Sequence, residues 1–524
     1  MVKKIFKNLI EYVIVGALLI CLCFYMNKDI VMKALYMDDL YHWSWFRGLN
    51  LYEFAFKFYE TSRYRPIFET IQYIMYVIID TDPSKIIIFN KLYNSLVAIF
   101  IYHFIKRLRT GRIIAIIFSS LYLISHLSYY QIGQGIGNLE TTSLFFSLII
   151  LFFCLKLLNI IKNYNSDNIE VDNKKNNVIN TVILYIMYLL IVFTHERFLG
   201  LAVPISMAVL LSQDNDNKFI NRRKIISLAM LIVLILFICY IRYIAIGKVM
   251  PAGTGGTYVE NTFSLIQCIE YCFTQVAFIF GINIGPEHLV GIAFRDIVDN
   301  NIKIATYASI GIISLFIICY FIFKTKNIFF NKDVKEHKNN DNYLNYVSDL
   351  IFLSFIAMCI GASSVTIRVE MRFVYVSFTI SIIYLSYMSS YIMNCVNNLL
   401  SKIVICLLMI LIFVSRLPVE ITYRKNYDKI YCFMDMSRVN SIYDNTIGKY
   451  GLDEVINNKK IYIVKKYFDM NEFYAEYIFK IYDKNNVGKK IIIVEDVSEI
   501  PIDDIGNNTI ILYENLATNT YEVL

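Results

Sequence analysis

Asp38 and Asp39 stand side by side about a dozen residues past the first apolar run, and the chain's two tryptophans, Trp43 and Trp45, follow within seven residues. The segment SRYRPIF places Arg63 and Arg65 in the same stretch, directly before Pro66. A carboxylate there can take the proton of an acceptor hydroxyl as a general base. Two guanidinium groups can hold a phosphate through paired hydrogen bonds. The rings can stack on a sugar or sit at lipid headgroup level. The bland alternative is a solvated loop with interfacial anchors. A second group is THERF, with His195, Glu196 and Arg197 where one apolar run ends and the next begins. Three ionisable residues at a membrane boundary are costly unless they face a polar cavity, although Glu196 and Arg197 could simply pair with neighbours. The residue four after His195 is Leu199, which excludes the zinc-protease pattern. A third group, IRVEMRFVYVSF, carries Arg368, Glu370 and Arg372, which could hold a phosphate or merely snorkel.

The elements that must position these residues are membrane helices. Of the 524 residues 57% are hydrophobic and 18% charged, and mean hydropathy is +0.51. Soluble domains carry about 25% charged residues. The apolar residues come in blocks long enough to cross a hydrocarbon core of about 30 Å as helix, without the alternation of barrel strands. Spans are expected near 9–26, 86–105, 113–127, 138–158, 179–194, 198–212, 225–246, 303–323, 346–361, 372–392 and 402–416. The N-terminal run lacks a small-residue cleavage site and reads as an uncleaved first span. Lys and Arg then fall on alternate connections: Lys3, Lys4 and Lys7; Lys106 to Arg112; Lys162, Lys174 and Lys175; Lys218 to Lys224; Lys324 to Lys338. Residues 128–137 contain neither. The positive-inside rule makes the first set cytoplasmic, with the N-terminus inside and the C-terminal segment outside; the expected location is the plasma membrane. Residues 66–80, PIFETIQYIMYVIID, would invert that order as a span, so an amphipathic helix on the outer surface is expected.

The expected organisation is a transmembrane domain over 1–416, with external loops 27–85 and 247–302, and a soluble extracytoplasmic α/β domain over 417–524. Runs at Lys460–Tyr467, Lys490–Glu495 and Asn508–Tyr513 read as strands around a helical stretch at Asn471–Tyr482. This tail holds 13 basic against 17 acidic residues, −4, and the rest carries +11. Neither part suggests a nucleic-acid partner. GQGIGN at 133–138 lies between two spans, so it is not a dinucleotide loop, and PAGTGGT at 251–257 lacks the ending of a phosphate loop. Most of the eleven cysteines lie within spans as small apolar residues.

The ordered set of motifs resembles the GT-C class of membrane glycosyltransferases, in particular protein O-mannosyltransferase-like and related bacterial enzymes, over residues 1–416. The resemblance lies in Asp38-Asp39 after the first span, Arg65-Pro66 in the same loop, a surface helix, and the Asn-containing start of the next span at Phe89-Asn90-Lys91. His195-Glu196 stands where the class often has Lys-Glu. Glu370-Met371-Arg372-Phe373 stands where it often has Glu-Arg-Tyr/Phe, with one residue inserted. The resemblance implies an all-α fold of about eleven membrane helices. It implies transfer of a sugar, with inversion, from a polyprenyl-phosphate-linked donor to an acceptor on the outer face, an unidentified glycan, lipid or protein. It assigns Asp38 or Asp39 as the base, and Arg63, Arg65, His195, Glu196, Arg197 and Arg372 to the donor phosphate. No cofactor is required, and a divalent metal is compatible but not compelled. The competing classes are a transporter or flippase, and a catalytically inactive relative in envelope assembly. Transporters place charges near the bilayer midplane, whereas here they gather at the external helix ends, without an inverted repeat.

Overall fold

The computed structural model describes residues 2–57, 63–161, 173–212, 221–249, 263–283, 293–296, 299–330, 337–366, 369–396, 398–426, 431–464, 477–482, 491–506 and 508–524. Among these, nine helices are long and apolar enough to cross a bilayer, or ten if one bent pair is a single span. In chain order the helices are α1 (Val2–Met26), α2 (Met37–Phe46), α3 (Leu51–Phe56), α4 (Pro66–Ile79), α5 (Ser84–Arg107), α6 (Arg112–Ile124), α7 (His126–Ile132), α8 (Asn138–Leu157), α9 (Asn173–Thr194), α10 (Ala202–Leu211), α11 (Arg222–Ile246), α12 (Leu265–Ile279), α13 (Asn300–Phe330), α14 (His337–Ser364), α15 (Met371–Cys395) and α16 (Leu399–Lys425). The structure is therefore a polytopic membrane bundle.

Three elements differ from the spans expected. The span expected at 113–127 is the bent pair α6 and α7, which meet at 54°. Ser125 leaves the helical region there, and its hydroxyl accepts the Ser128 N–H to cap α7. The span expected at 198–212 is the ten-residue helix α10 behind a 3-10 segment, Glu196–Leu201. At 1.5 Å per residue α10 rises only about 15 Å. The last span does not stop at 416 but runs through Pro418 to Lys425. Helix α4, with 14 residues, is too short to cross, as expected. It buries Phe68, Gln72, Met75, Tyr76 and Ile79 along one stripe and leaves Ile74, Val77 and Ile78 exposed.

Helix α15 is the hub and is almost wholly buried. Small hydroxyl residues let its neighbours approach: Ser377, Thr379, Ser381, Ser386 and Ser389 each return their O–H to a carbonyl of their own helix, at 2.6–3.0 Å. Asn94 of α5 accepts the hydroxyls of Tyr122 on α6 and Tyr375 on α15, each at 2.8 Å. Arg416 and His126 share the carboxylate of Glu420, at 2.6 and 2.5 Å. Arg424 near the end of α16 donates to the Asn27 side chain, at 2.9 Å, and to the carbonyl of Ile124, at 3.1 Å. These bonds tie α1, the α6–α7 bend and α16 together at one end of the bundle.

The C-terminal domain sits at that end. Helix α17 (Tyr431–Asn445) packs against a four-stranded sheet ordered β2-β1-β3-β4, made of β1 (Lys460–Val464), β2 (Ile491–Val494), β3 (Thr509–Asn515) and β4 (Thr520–Val523). The first three strands are parallel and β4 is antiparallel to β3. They match the three runs expected, with β4 in addition. Of the expected helix at 471–482, residues 477–480 are helical and 471–476 lie outside the described residues. Phe433 stacks on Tyr129 of α7 with centroids 5.4 Å apart, and Lys33 pairs with Asp444 at 2.6 Å. The 251–257 glycine stretch lies outside the described residues.

The orientation expected from the basic loops is open to a labelling test. In a chain with its other cysteines replaced, an impermeant maleimide on intact cells should modify Ala517→Cys, exposed between β3 and β4, but not Cys395 at the far end of α15. The opposite pattern would invert the topology.

Candidate functional site

Consecutive residues on a helix point about 100° apart, so the two aspartates in the first turn of α2 cannot share an environment. Asp38 is exposed and Asp39 is buried, at 2%. The Asp39 carboxylate accepts the backbone N–H groups of Gly135 and Ile136, one on each oxygen, both at 2.6 Å. A Cβ on Gly135 would lie 2.8 Å from the nearer oxygen, closer than real side chains come, so this position requires glycine. The turn is clamped from three sides. Gln72 of α4 donates to the Gly135 carbonyl at 3.0 Å, and Tyr36 donates to that of Gly133 at 3.0 Å. Asn90 of α5 donates to those of Ile132 and Gln134, at 3.0 and 2.7 Å. The 133–138 glycines, unfit for a dinucleotide, thus form an anion-binding turn for a carboxylate of the same chain.

Burial raises the Asp39 carboxyl to about 6 against the pull of the two N–H groups, so it is largely ionised at pH 7. Burial alone would lower the His42 imidazole, but the Glu69 carboxylate 3.6 Å away raises it overall.

The arginines form the second part. Arg65 precedes Pro66, the first residue of α4, and its backbone is held outside the helical region. From there its guanidinium meets Glu196 in a two-pronged pair, at 2.8 and 2.7 Å. His195 caps the 3-10 segment, its Nδ1 accepting the Arg197 N–H at 3.3 Å, and its Nε2 lies 3.4 Å from Arg65. Burial, and then the charge of Arg65, hold this imidazole well below its usual value. His195 is therefore neutral at pH 7 and adds no cation. Arg197 pairs with Glu140 at the start of α8 and lies over the Phe373 ring, 5.0 Å from its centre. Arg372 pairs with Glu370. The like charge of Arg65, followed by burial, lowers Arg63 to about 10, still cationic, and Glu196, Arg372 and Glu370 also act on it. Asp38 lies within electrostatic reach of Arg372.

The first loop, THERF and the Glu370–Arg372 segment are thus brought to one place, although the chain separates them by more than three hundred residues. Asp38, Arg63, Arg65, His195, Glu196, Arg197 and Arg372 lie in or beside it, with Asp39 beneath, its oxygens occupied by backbone. Arg368 lies outside the described residues. Sequence reasoning missed Glu140 and the Gly133–Gly137 turn. The available signal for Glu140 was a lone carboxylate opening an otherwise apolar span. Among the described residues no three His, Cys, Asp or Glu side chains converge to ligate a metal ion.

No family model matches the chain, and no curated protein does. Among solved structures it is similar to the archaeal oligosaccharyltransferase AglB from Archaeoglobus fulgidus in complex with an inhibitory peptide and a dolichol-phosphate. That match has a TM-score of 0.47 and 10% identity over 90% of this chain and 63% of the other. The same enzyme tethered to an acceptor peptide matches at 0.47 and 11% over 87% and 62%, and its complex with Zn and sulfate at 0.43 and 13% over 89% and 61%. The chain spans about three fifths of the length of these structures.

Two outcomes test the carboxylate turn. Gly135→Ala should lower folding stability by on the order of 2 kcal/mol, the worth of a charge-assisted hydrogen bond, in thermal unfolding of the purified protein. Gly111→Ala, where a Cβ meets nothing within 4 Å, should be near neutral. Because the folded acid is raised, its protonated form persists to higher pH than in an ordinary aspartate. Infrared difference spectra of wild type against Asp39→Asn should show a carboxylic C=O band that disappears with a midpoint near pH 6, and a midpoint near 4 would contradict the burial argument.

Proposed function

We propose that this protein is a GT-C class membrane glycosyltransferase that moves a sugar from a polyprenyl-phosphate-linked donor to an acceptor on the outer face of the plasma membrane. The observation that carries the reading is one exposed carboxylate, Asp38, beside a half-buried set of arginines at the same end of the bundle. A donor of this kind reaches the site sideways through the bilayer, with its phosphate at the level of the helix ends.

In this reading Asp38 is the base. It takes the acceptor O–H proton as the oxygen attacks the anomeric carbon from the face opposite the phosphate. The bond from that carbon to the phosphate oxygen breaks, configuration inverts, and the polyprenyl phosphate leaves with one more negative charge. Arg63, Arg65 and Arg372 lie where that charge develops, and stabilising charge formed only in the transition state is what lowers the barrier. Glu196 and Glu370 hold two of these guanidinium groups in place. Asp39, with both oxygens taken by backbone N–H groups, anchors the first turn of α2 and so aims Asp38. His195, being neutral, serves as an acceptor that fixes the THERF turn rather than as a phosphate cation.

The test is sugar transfer from a panel of synthetic polyprenyl-phosphate sugars by detergent-purified protein. Wild type should transfer from at least one donor, and Asp38→Asn should lower turnover by about 10²–10⁴-fold, the usual worth of a general base. Folded protein that transfers from no donor, or an Asp38→Asn variant as active as wild type, would overturn the proposal.

A further inference from the structure

Helix α11 faces outward along most of its length. Only Lys224, Leu231, Ile238 and Arg242 are buried, on one inner stripe, whereas Val233, Leu236, Tyr240 and Tyr243 are exposed. The last residue of that stripe is anomalous. Arg242 is 1% exposed, and none of its three guanidinium nitrogens has a hydrogen-bond partner among the described residues. The charges that act on it are those of Glu196 and Arg65. Glu196 is already taken by the two-pronged contact with Arg65. Glu140 and Glu370 are matched to Arg197 and Arg372. Among the described residues the cluster around the Arg65–Glu196 pair thus gathers Arg63, Arg65, Arg197, Arg242 and Arg372, with Glu140, Glu196 and Glu370 already paired and Asp38 acting on Arg372.

A guanidinium buried without hydrogen bonds in a membrane helix is among the costliest arrangements a chain can hold, and it is retained where a ligand completes it. Five N–H donors in a planar fork suit the oxygens of a phosphate. The ligand can reach it from the bilayer, because the helix that carries Arg242 presents its other faces outward. We infer that Arg242 is the receiving residue for a phosphate group borne by a lipid, which enters sideways past α11 and completes the arginine set around the Arg65–Glu196 pair. The inference rests on the reading of this cluster as a lipid-phosphate site and adds to it the residue that takes the headgroup and the side from which it arrives.

The experiment measures binding without any sugar, so it is independent of transfer. Full-length wild type, Arg242→Met, Arg242→Gln and Arg242→Lys are titrated in detergent with a polyprenyl phosphate, with the matching polyprenol, and with inorganic phosphate, and thermal unfolding is followed with and without each. Polyprenyl phosphate, but not polyprenol, should stabilise the wild type. The Met and Gln variants should bind it at least about tenfold more weakly, the loss expected when hydrogen bonds to a charged group are removed, and Lys should fall between. Unliganded Arg242→Met should unfold at the same or a higher temperature than wild type, because it removes an unsatisfied buried charge; a merely structural arginine would do the opposite. Unchanged affinity in the Met and Gln variants, or a less stable unliganded Met variant with the lipid-induced rise intact, would overturn the inference. Inorganic phosphate protecting as well as the lipid would overturn entry from the bilayer. Weaker binding in the variants together with an absence of sugar transfer would leave Arg242 in place and remove the transfer reading instead.

Discussion

The contact between the Asp39 carboxylate and the two backbone N–H groups of Gly135 and Ile136 is the constraint on which this end of the molecule depends. It joins the first inter-helix segment to the turn between α7 and α8, two pieces of chain almost a hundred residues apart. Asp39 stands in the first turn of α2, and the turn it meets belongs to no helix or strand. The carboxylate gives the turn's N–H groups the partner that buried backbone requires, and the turn gives a desolvated anion the dipoles it would otherwise lack. The surrounding side chains follow from that exchange. Gln72, Asn90 and Tyr36 each donate to a carbonyl of the same turn, so α4, α5 and the start of α2 are set relative to one point. Phe433 lies where a Cβ on Gly133 would be, at 2.5 Å, so the C-terminal domain can approach only because that residue is also glycine.

Around this anchor most of the charges obey a second rule, that an ion at a membrane boundary must be matched, and Arg242 is the exception. Arg65 with Glu196, Arg197 with Glu140 and Arg372 with Glu370 are each buried or nearly so. Pairs of this kind contribute little net stability against well-packed apolar residues, since desolvation offsets the attraction, but losing one partner is expensive. They are therefore better understood as a way to keep guanidinium groups fixed in a low-dielectric place than as a source of folding energy. The aromatic faces of Phe198 and Phe373 against Arg197 serve the same end without adding negative charge.

Much of the architecture was legible in the sequence because length and apolarity decide membrane helices almost alone. That α4 does not cross was readable from the order of the basic loops, which residues 66–80 would have inverted as a span, and the helix has only 14 residues. The bend between α6 and α7 was not, because Ser125 is an unremarkable residue in an apolar run and its capping role exists only once Ser128 follows it in space. The sixth expected span was over-read: 198–212 is apolar enough, but the 3-10 segment at its head leaves a short helix. β4 escaped because Thr520–Val523 has only four residues and one buried side chain. At the site, the acidic pair and the arginines could be named from their places in the loops. The glycine turn was assessed against a phosphate-binding template and set aside, and its real ligand was a carboxylate a hundred residues away that no local pattern could supply. Arg242 was hidden by its surroundings, a lone cation in the apolar run that follows Arg222, Arg223 and Lys224 on the same helix.

The division of labour between the adjacent aspartates follows from helix geometry rather than from any difference in their chemistry. One residue step on α2 turns the side chain by about 100°, enough to bury one carboxylate against backbone and leave the other in the open. The buried one cannot act on a substrate without giving up both of its N–H partners, and the exposed one cannot hold a direction without the first. In the proposed reaction such a pair is a base with its own mount. Exchanging the two roles would require rotating α2 against Trp43, which is buried at its centre and packed edge-on to Tyr477 of the C-terminal domain with centroids 6.3 Å apart. The aromatic segment that follows the aspartates thus acts through packing. It fixes the rotation of the helix and hence which carboxylate faces the arginines.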